Sequence, residues 1–157
     1  GAYCNTPLPL TSEVSTQPLP LVATSANEIE PYFSPDGNKL VYASNLTGTY
    51  KLYIMNLIDS SVKQITFGSS TERNPCWSPD GKHIAFSSNR SGNWDIWVYD
   101  VRAASLRQIS KDRRSDTHPC WSADSTHIIF TSDRRRGAGG CTALYKIKAP
   151  LNETFLK

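Results

Sequence analysis

The chain has 157 residues, and its 17 Lys and Arg against 14 Asp and Glu give a formal net charge of +3. This small positive excess argues against a dedicated nucleic-acid binder, and no apolar run approaches the ~20 residues that a membrane-spanning helix needs. Four Trp, seven Tyr and five Phe against a single Met favour strands and turns over long helices.

The N-terminal part of the chain predicts an arm followed by one short strand. Residues 1–17, rich in Pro, Thr and Ser, are expected to form a loosely ordered, flexible arm. Residues 18–23 resemble an outer strand, because 19–23 lie 44 residues before the similar segment 63–67. The given chain shows no initiator Met and no apolar signal-peptide core, so we expect a mature product or a fragment.

A motif built around Ser-Pro-Asp-Gly recurs at a spacing of 44 residues, in three copies that begin at Pro31, Pro75 and Pro119. Proline early in the turn and glycine at a position of positive φ predict a tight hairpin, and the aspartate is expected to cap its own turn. Three further short strands complete each copy, several of them rich in aromatic and β-branched residues. Four antiparallel strands at this period are typical of a propeller blade.

The repeat therefore predicts an all-β fold of three four-stranded antiparallel blades with essentially no helix. We place these blades at about 31–67, 75–111 and 119–157, within a three-blade unit that spans 18–157. Aromatic side chains recur at two positions of each copy, and we expect them to pack between blades. The first position holds Phe33, Trp77 and Trp121, and the second holds Tyr42, Phe86 and Phe130.

The second copy, Pro-Cys-Trp-Ser-Pro-Asp-Gly followed by Ile-Ala-Phe-Ser-Ser-Asn-Arg and Ile-Trp-Val-Tyr-Asp, resembles the TolB-type, WD-like β-propeller repeat. The resemblance covers about residues 31–148, and the third copy departs from it where Ala123 and Ser125 replace the turn proline and glycine. It implies a six-bladed ring, an association with envelope protein complexes, and a periplasmic or otherwise extracytoplasmic location.

Three blades are too few for a closed propeller, which has about four to eight. Two blade faces would stay exposed to water, a large apolar liability. We expect a homodimer in which two chains close one six-bladed ring. Residues 18–23 of each chain would complete the partner's third blade, because the fourth strand of that blade would fall near Lys157, the last residue given, and is expected to be largely missing. The alternative is that the chain is a fragment of a longer propeller.

The sequence contains no Gly-x-Ser-x-Gly elbow, Walker loop, dinucleotide-binding glycine pattern or His-Glu-x-x-His motif. Its four cysteines lack the spacing of metal ligands. Cys76 and Cys120 share a repeat position, and we expect both to be small buried residues without a disulfide between them. The sequence therefore predicts no catalytic residue, no metal site and no cofactor, in a protein that is not an enzyme.

Candidate binding residues come from one rim of the predicted ring. His118 shares a repeat position with Glu30 and Asn74, at the channel mouth, and the rim loops of the third repeat are basic, which suits an acidic partner segment. The candidate partner-binding residues are Glu30, Asn74, His118, Arg113, Arg114, Arg134, Arg135 and Arg136. Solvated loop ends are the plainer interpretation. A third interpretation is that the basic third repeat of one chain faces the acidic first repeat of a second chain.

The leading functional hypothesis is a non-enzymatic scaffold that binds an unidentified protein or peptide on this rim and at the channel mouth. The alternative is the gating propeller of a prolyl-oligopeptidase-like hydrolase, whose catalytic domain would lie elsewhere in a longer chain. A lyase or metal-dependent enzyme built in the channel is a third hypothesis, which metal analysis tests. We expect no nucleic-acid partner and no membrane insertion. The fold by itself does not choose among these functions.

Overall fold

The computed structural model describes residues 17–134 and 141–149, and these contain strands, turns and extended segments but no helix. Nothing in this part of the chain is therefore a helix of the length and apolarity that crossing a membrane requires. The first antiparallel sheet holds its strands in chain order: β1 (Glu28–Phe33), β2 (Lys39–Ser44), β3 (Lys51–Asn56) and β4 (Val62–Gln64).

Two further antiparallel sheets follow along the chain. The second consists of β5 (Glu72–Trp77), β6 (His83–Ser88), β7 (Asp95–Asp100) and β8 (Ser105–Gln108). The third consists, among the described residues, of β9 (Asp116–Trp121), β10 (His127–Ser132) and β11 (Ala143–Lys148). The expected all-β fold with four-stranded antiparallel sheets is confirmed. The fourth strand of the third sheet is expected from residues 18–23 of a second chain, and the third sheet has three strands among the described residues, so three complete blades stay a prediction.

The hairpin between the first two strands of each sheet closes on the predicted turn. In the first sheet, Ser34 Oγ donates to Asp36 Oδ1 at 2.6 Å, and the amide two residues after Asp36 donates to the same oxygen at 3.1 Å. Gly37 adopts a φ of 71°, a left-handed conformation that glycine reaches without penalty. Asp80 and Asp124 make equivalent bonds, so the expectation that these aspartates cap their own turns is confirmed.

The hydrophobic core lies between successive sheets. Val41 and Leu52 of the first sheet pack against Trp77 and Phe86 of the second. The second and third sheets enclose a matching cluster that includes Ala85, Ile96, Trp121 and Phe130. Burying a large apolar side chain of this kind contributes about 1.5–3 kcal/mol. Each sheet therefore depends on its neighbours, because one sheet cannot bury both of its faces.

The expected packing of aromatic side chains between blades is confirmed at Trp77 and Trp121, which are 4% and 7% exposed. At Phe33, which is 60% exposed, it stays a prediction, because no described sheet precedes the first one. Tyr42 is buried, but it stacks on Tyr53 of its own sheet, with 5.7 Å between the ring centroids. The recurring aromatic side chains are thus buried between sheets only where a second sheet lies opposite.

The two cysteines at one repeat position have different environments. Cys76 is buried, its Sγ donates to the carbonyl of Pro119 at 3.0 Å, and burial raises the pKa of its thiol to about 12. Cys120 is exposed in the single chain, so its expected burial stays a prediction that depends on what covers the third sheet. The third sheet covers Cys76, whereas no described strand covers the same side of the third sheet. Both thiols are free, as expected.

Residues 17–27 contain no strand in this single chain, and Leu19 is 80% exposed. Val22 nevertheless packs against a buried cluster on the first sheet that includes Leu40 and Tyr42. The strand expected at 18–23 would pair with a second chain, so it stays a prediction. Residues 1–16 of the predicted arm lie outside the described residues.

Candidate functional site

The three residues predicted at the channel mouth sit on the first strand of each sheet, at a bulge. Glu30, Asn74 and His118 have φ angles of 57°, 53° and 55°, and the strand pairing shifts its register at each of them. A residue other than glycine is strained in this left-handed region. A proline follows every one of them, so the same local distortion recurs in all three sheets.

Glu30 binds the next sheet directly. Its carboxylate accepts hydrogen bonds from the guanidinium of Arg73 at 2.8 and 3.0 Å, and from the backbone and side-chain amides of Asn74 at 2.5 and 3.0 Å. Burial raises the pKa of this carboxyl, but the hydrogen bonds from Arg73 and Asn74 outweigh burial and hold the pKa below its usual range. Glu30 is therefore a fixed anion that joins two sheets.

Asn74 and His118 are linked through one serine. Ser87 Oγ donates to Asn74 Oδ1 at 3.3 Å and accepts from the backbone amide of His118 at 3.1 Å. The imidazole of His118 is exposed, and its Nδ1 lies 3.0 Å from Thr117 Oγ1. The structure thus connects the three mouth residues in one series, and the ring of His118 is the member left facing solvent.

The arginines of the predicted site have two different roles. Arg113 and Arg114 are exposed on the loop between β8 and β9. Arg134 instead pairs with Asp112 and with Asp116, the latter at 2.7 Å, and its guanidinium lies 5.0 Å from the ring centroid of Tyr145. Arg134 therefore supports the third sheet. Arg135 and Arg136 lie outside the described residues.

Sequence reasoning missed a buried ion pair between the first two sheets. Lys51 and Glu72 are 2% and 0% exposed, and their charged groups are 3.0 Å apart. Arg90 binds the other oxygen of Glu72 at 2.8 Å. Burial raises the pKa of Glu72, but hydrogen bonds from Ser70, Lys51 and Arg90 outweigh it and lower the pKa. The repeat carried a signal, since Glu72 and Arg90 match Asp116 and Arg134 at a spacing of 44 residues.

The corresponding positions in the second and third sheets hold two buried acids instead of a lysine and an acid. Asp95 takes the repeat position of Lys51, and Asp95 and Asp116 are 1% and 0% exposed. Ser110 Oγ donates to Asp95 at 3.3 Å. Burial raises the pKa of Asp116 above its usual value, and the nearby Arg134 only partly opposes this rise. No group of three or more His, Cys, Asp or Glu suited to a metal ion occurs within 17–134 and 141–149.

A hollow of about 500 Å³ opens on the rim between the first two sheets. Phe67, Ser70, Asn89 and Arg90 line it, and Phe67 is 66% exposed. The loops that precede the first strand and follow the second strand of each sheet share this rim, because neighbouring strands are antiparallel. The hollow and the basic loop around Arg113 therefore lie on one side of the molecule.

The profile of the TolB beta propeller domain family matches residues 10–102 and, a second time, residues 73–153. No curated protein sequence matches the chain. Among solved structures, TolB from Acinetobacter baumannii is similar with a TM-score of 0.74 and 28% sequence identity, over 85% of this chain and 32% of that chain. This chain thus spans about a third of the length of that TolB.

Two enzymes have similar structures at lower identity. Oligogalacturonate lyase from Vibrio parahaemolyticus gives a TM-score of 0.62 at 19% identity, over 74% of this chain and 32% of that chain. Acylaminoacyl peptidase from Pyrococcus horikoshii gives a TM-score of 0.60 at 22% identity, over 83% and 24%. At these identities the likeness shows the fold alone. The family profile covers most of the sequence, and the chain belongs to the TolB β-propeller domain family.

Proposed function

We propose that the protein is a non-enzymatic scaffold of TolB-like propeller type that binds a protein or peptide, and that two chains close its six-bladed ring. The observation that carries the ring is the exposure of one end face. Ile129 and Leu144 on the third sheet are 38% and 76% exposed, whereas Ala85 and Ile96, at the same repeat positions in the second sheet, are fully buried. Exposed apolar side chains on a sheet face favour a covering partner.

The outer face of the first sheet, at the other end of the stack, also lacks a covering sheet. Phe33 on the first sheet is 60% exposed, whereas Trp77 and Trp121 at the same repeat position are buried against the preceding sheet. Faces of these two kinds already pack together twice within the chain. A second copy offers the missing face at each end, and two chains of three blades give six, within the size range of closed propellers.

The N-terminal segment supports an exchange of strands between the two chains. Ile65, just after β4, packs against Trp77 of the next sheet. The repeat position equivalent to Ile65 lies 44 residues earlier, and Val22 is the residue directly after it. Val22 packs against Leu40 and Tyr42 of the first sheet. The segment thus lies against the first sheet as the outer part of a preceding blade would.

A binding role rather than a catalytic one is favoured by how the mouth residues are engaged. Glu30 is held by Arg73 and Asn74, so its carboxylate is poorly placed to exchange a proton with a substrate. His118 lacks a described carboxylate within hydrogen-bonding distance. The extracytoplasmic location is part of the proposal and rests on the family resemblance.

The second candidate function is the propeller part of a longer hydrolase. The similarity to acylaminoacyl peptidase, of which this chain would cover 24%, favours it. In that case the exposed faces at Phe33 and Leu144 would be covered by further blades of the same longer chain. The two proposals therefore differ in the identity of what covers the end faces.

Light scattering on the purified chain tests the ring. We expect twice the mass of one chain, and a monomer for Leu144→Arg, because a buried unpaired charge at the joint is costly. Ile58→Arg is the matched control: Ile58 is 78% exposed, but it lies in the turn between β3 and β4, away from both end faces. This control should remain a dimer. A monomeric wild-type chain would reject the two-chain ring and favour the hydrolase alternative.

A further inference from the structure

The loop between β8 and β9 carries three exposed cations on a hydrogen-bonded backbone. Lys111, Arg113 and Arg114 are exposed, and the described residues give their side chains no ion pair. Asn93 Nδ2 donates to the carbonyls of Asp112 at 3.0 Å and Arg114 at 2.9 Å, which fixes the loop backbone. The loop is therefore ordered without using these charges, and a partner would not have to order it.

The acid on this loop does not neutralise the three cations. Asp112 forms an ion pair with Arg134, and its Oδ1 also accepts the backbone amide of Arg114 at 2.7 Å. Arg134 is shared with the buried Asp116, so Asp112 is only partly offset by it, but the three exposed cations still outnumber the one acid of the loop. The loop presents a net positive surface to solvent, which favours an anionic partner.

The preceding rim loop adds an apolar contact. Phe67 occupies the repeat position of Lys111 and is 66% exposed beside the hollow of about 500 Å³. Asn89 lines the same hollow; its Oδ1 accepts the backbone amide of Thr71 at 2.8 Å, which leaves its Nδ2 to donate to a peptide backbone. An exposed aromatic side chain next to a concave surface is the kind of anchor that interfaces use.

We propose that this rim, from the hollow at Phe67 to the basic loop at 111–114, binds an acidic peptide segment that carries an aromatic or aliphatic side chain. The apolar side chain enters the hollow against Phe67, and the carboxylates contact Arg113 and Arg114. This rests on the proposed scaffold function and names its class of partner. The bidentate geometry of arginine suits carboxylates.

A peptide fits this surface better than a nucleic acid does. A single-stranded nucleic acid needs a cationic groove that follows its backbone over several nucleotides. On the described part of this rim the exposed Lys and Arg side chains are confined to the loop at 111–114, and the whole chain carries a net charge of only +3. Polar groups in the hollow also match a peptide backbone. We therefore expect binding that depends on both the carboxylates and the apolar residue.

Fluorescence anisotropy tests the proposal with a labelled synthetic peptide of Asp, Glu and Gly with one central Trp. We expect saturable binding that weakens with added salt. Arg113→Ser/Arg114→Ser should weaken it about tenfold, because two charge-assisted contacts are lost. Phe67→Ser should weaken it about fivefold or more through the lost apolar contact. Lys63→Ser/Arg102→Ser is the matched control, since it removes the same charge from exposed residues away from this rim and should leave binding unchanged.

Four outcomes would overturn the proposal. They are the absence of peptide binding, equal binding of a peptide with Asn and Gln in place of Asp and Glu, tighter binding of labelled oligothymidylate or of vesicles containing phosphatidylserine, and an equal loss in the Lys63/Arg102 control. Light scattering on the same samples tests the two-chain ring independently of peptide binding. A dimer that fails to bind the peptide rejects only the partner class, whereas a monomer that binds it rejects only the two-chain assembly.

Discussion

Glu72 and Asp116 occupy the same position in consecutive repeats, yet their carboxyl groups meet different charges. Glu72 faces Lys51 and Arg90, and these partners lower its pKa against the effect of burial. Asp116 has Arg134 as its close cation among the described residues, and burial together with the charge of Asp112 raises its pKa against hydrogen bonds from Ser132 and Ser110. Although they share a repeat position, Glu72 and Asp116 therefore contribute to stability with opposite dependences on pH.

Glu72→Gln should destabilise the fold by about 3–5 kcal/mol at neutral pH, because Lys51 is left buried without its counter-charge. Since the pKa of Glu72 is lowered by folding, the stability it contributes is present above its unfolded-state pKa of about 4.3 and is lost as pH falls further. The penalty measured by urea unfolding should therefore be the same at pH 5 and pH 8.

Asp116→Asn should behave differently in the same experiment. Because folding raises the pKa of Asp116, the stability it contributes is present at low pH and is lost as pH rises through the folded-state pKa. The mutational penalty should accordingly be smaller at pH 8 than at pH 4, which is close to the unfolded-state pKa of about 3.9. A penalty that grows with pH would contradict the assigned environment of Asp116.

The hairpin turns show how one element tolerates changes in sequence. Gly37 and Gly81 close their turns with φ near 70°, and Ser125 closes the third turn with a φ of 59°. Ser125 recovers part of the cost, because its Oγ accepts the backbone amide of Asp80 from the neighbouring turn at 3.2 Å. The loss of the turn glycine in the third copy is thus compensated by a contact between sheets.

Backbone conformation alone should set the effect of two substitutions in exposed turns. A Cβ added at Gly37 meets nothing within 4 Å, so Gly37→Ala should cost about 1–2 kcal/mol through the left-handed conformation. Ala104 already has a φ of 51°, and Ala104→Gly should stabilise by less than about 1 kcal/mol, since glycine also increases the entropy of the unfolded chain. Urea midpoints that move in the same direction for both variants would reject this account.

At the scale of the whole molecule, burial depends on having a sheet on each side. The middle sheet buries both of its faces, whereas the first and third sheets each leave exposed apolar side chains such as Phe33 and Leu144. Equivalent residues therefore differ in exposure only because of their place in the stack. The proposed ring would make all of these environments alike.

The reactivity of Cys120 tests whether the exposed face of the third sheet is covered in the dimer. Cys120 lies at the repeat position of Cys76, which the next sheet buries, so we expect it to react slowly with N-ethylmaleimide in the wild-type dimer and faster in the Leu144→Arg monomer. Cys76 should stay unmodified in both, because it is buried and the pKa of its thiol is about 12. Peptide mass mapping measures each site. Equal rates at Cys120 in dimer and monomer would mean that this face is not the joint.

Removal of residues 1–23 tests the strand exchange separately from the ring. The shortened chain should form less dimer and more monomer or aggregate, because the outer edge of the third sheet at β11 loses its partner strand. Light scattering at equal protein concentration compares the two chains. A shortened chain that remains a stable dimer would leave the ring intact and reject the exchange of residues 18–23.

The sequence was sufficient for the strands, the turns and the antiparallel order of the sheets. These features depend on residues close together in the chain, such as the Ser-Pro-Asp-Gly turns and the short apolar run of β6, and the 44-residue period repeats them. The channel-mouth series was also predicted as one set, because Glu30, Asn74 and His118 share a repeat position. Local signals therefore carried the fold and located part of the candidate site.

Only the tertiary structure decided which of these equivalent residues are buried, paired or free. Phe33 and Cys120 are exposed although Trp77 and Cys76 are buried, because exposure depends on which sheet lies opposite. Arg134 supports the third sheet while Arg113 faces solvent, although both belong to one basic region of the sequence. Packing and ion pairing join residues about 20–44 positions apart in neighbouring sheets, and their energies follow from the three-dimensional neighbours that a repeat alone does not specify.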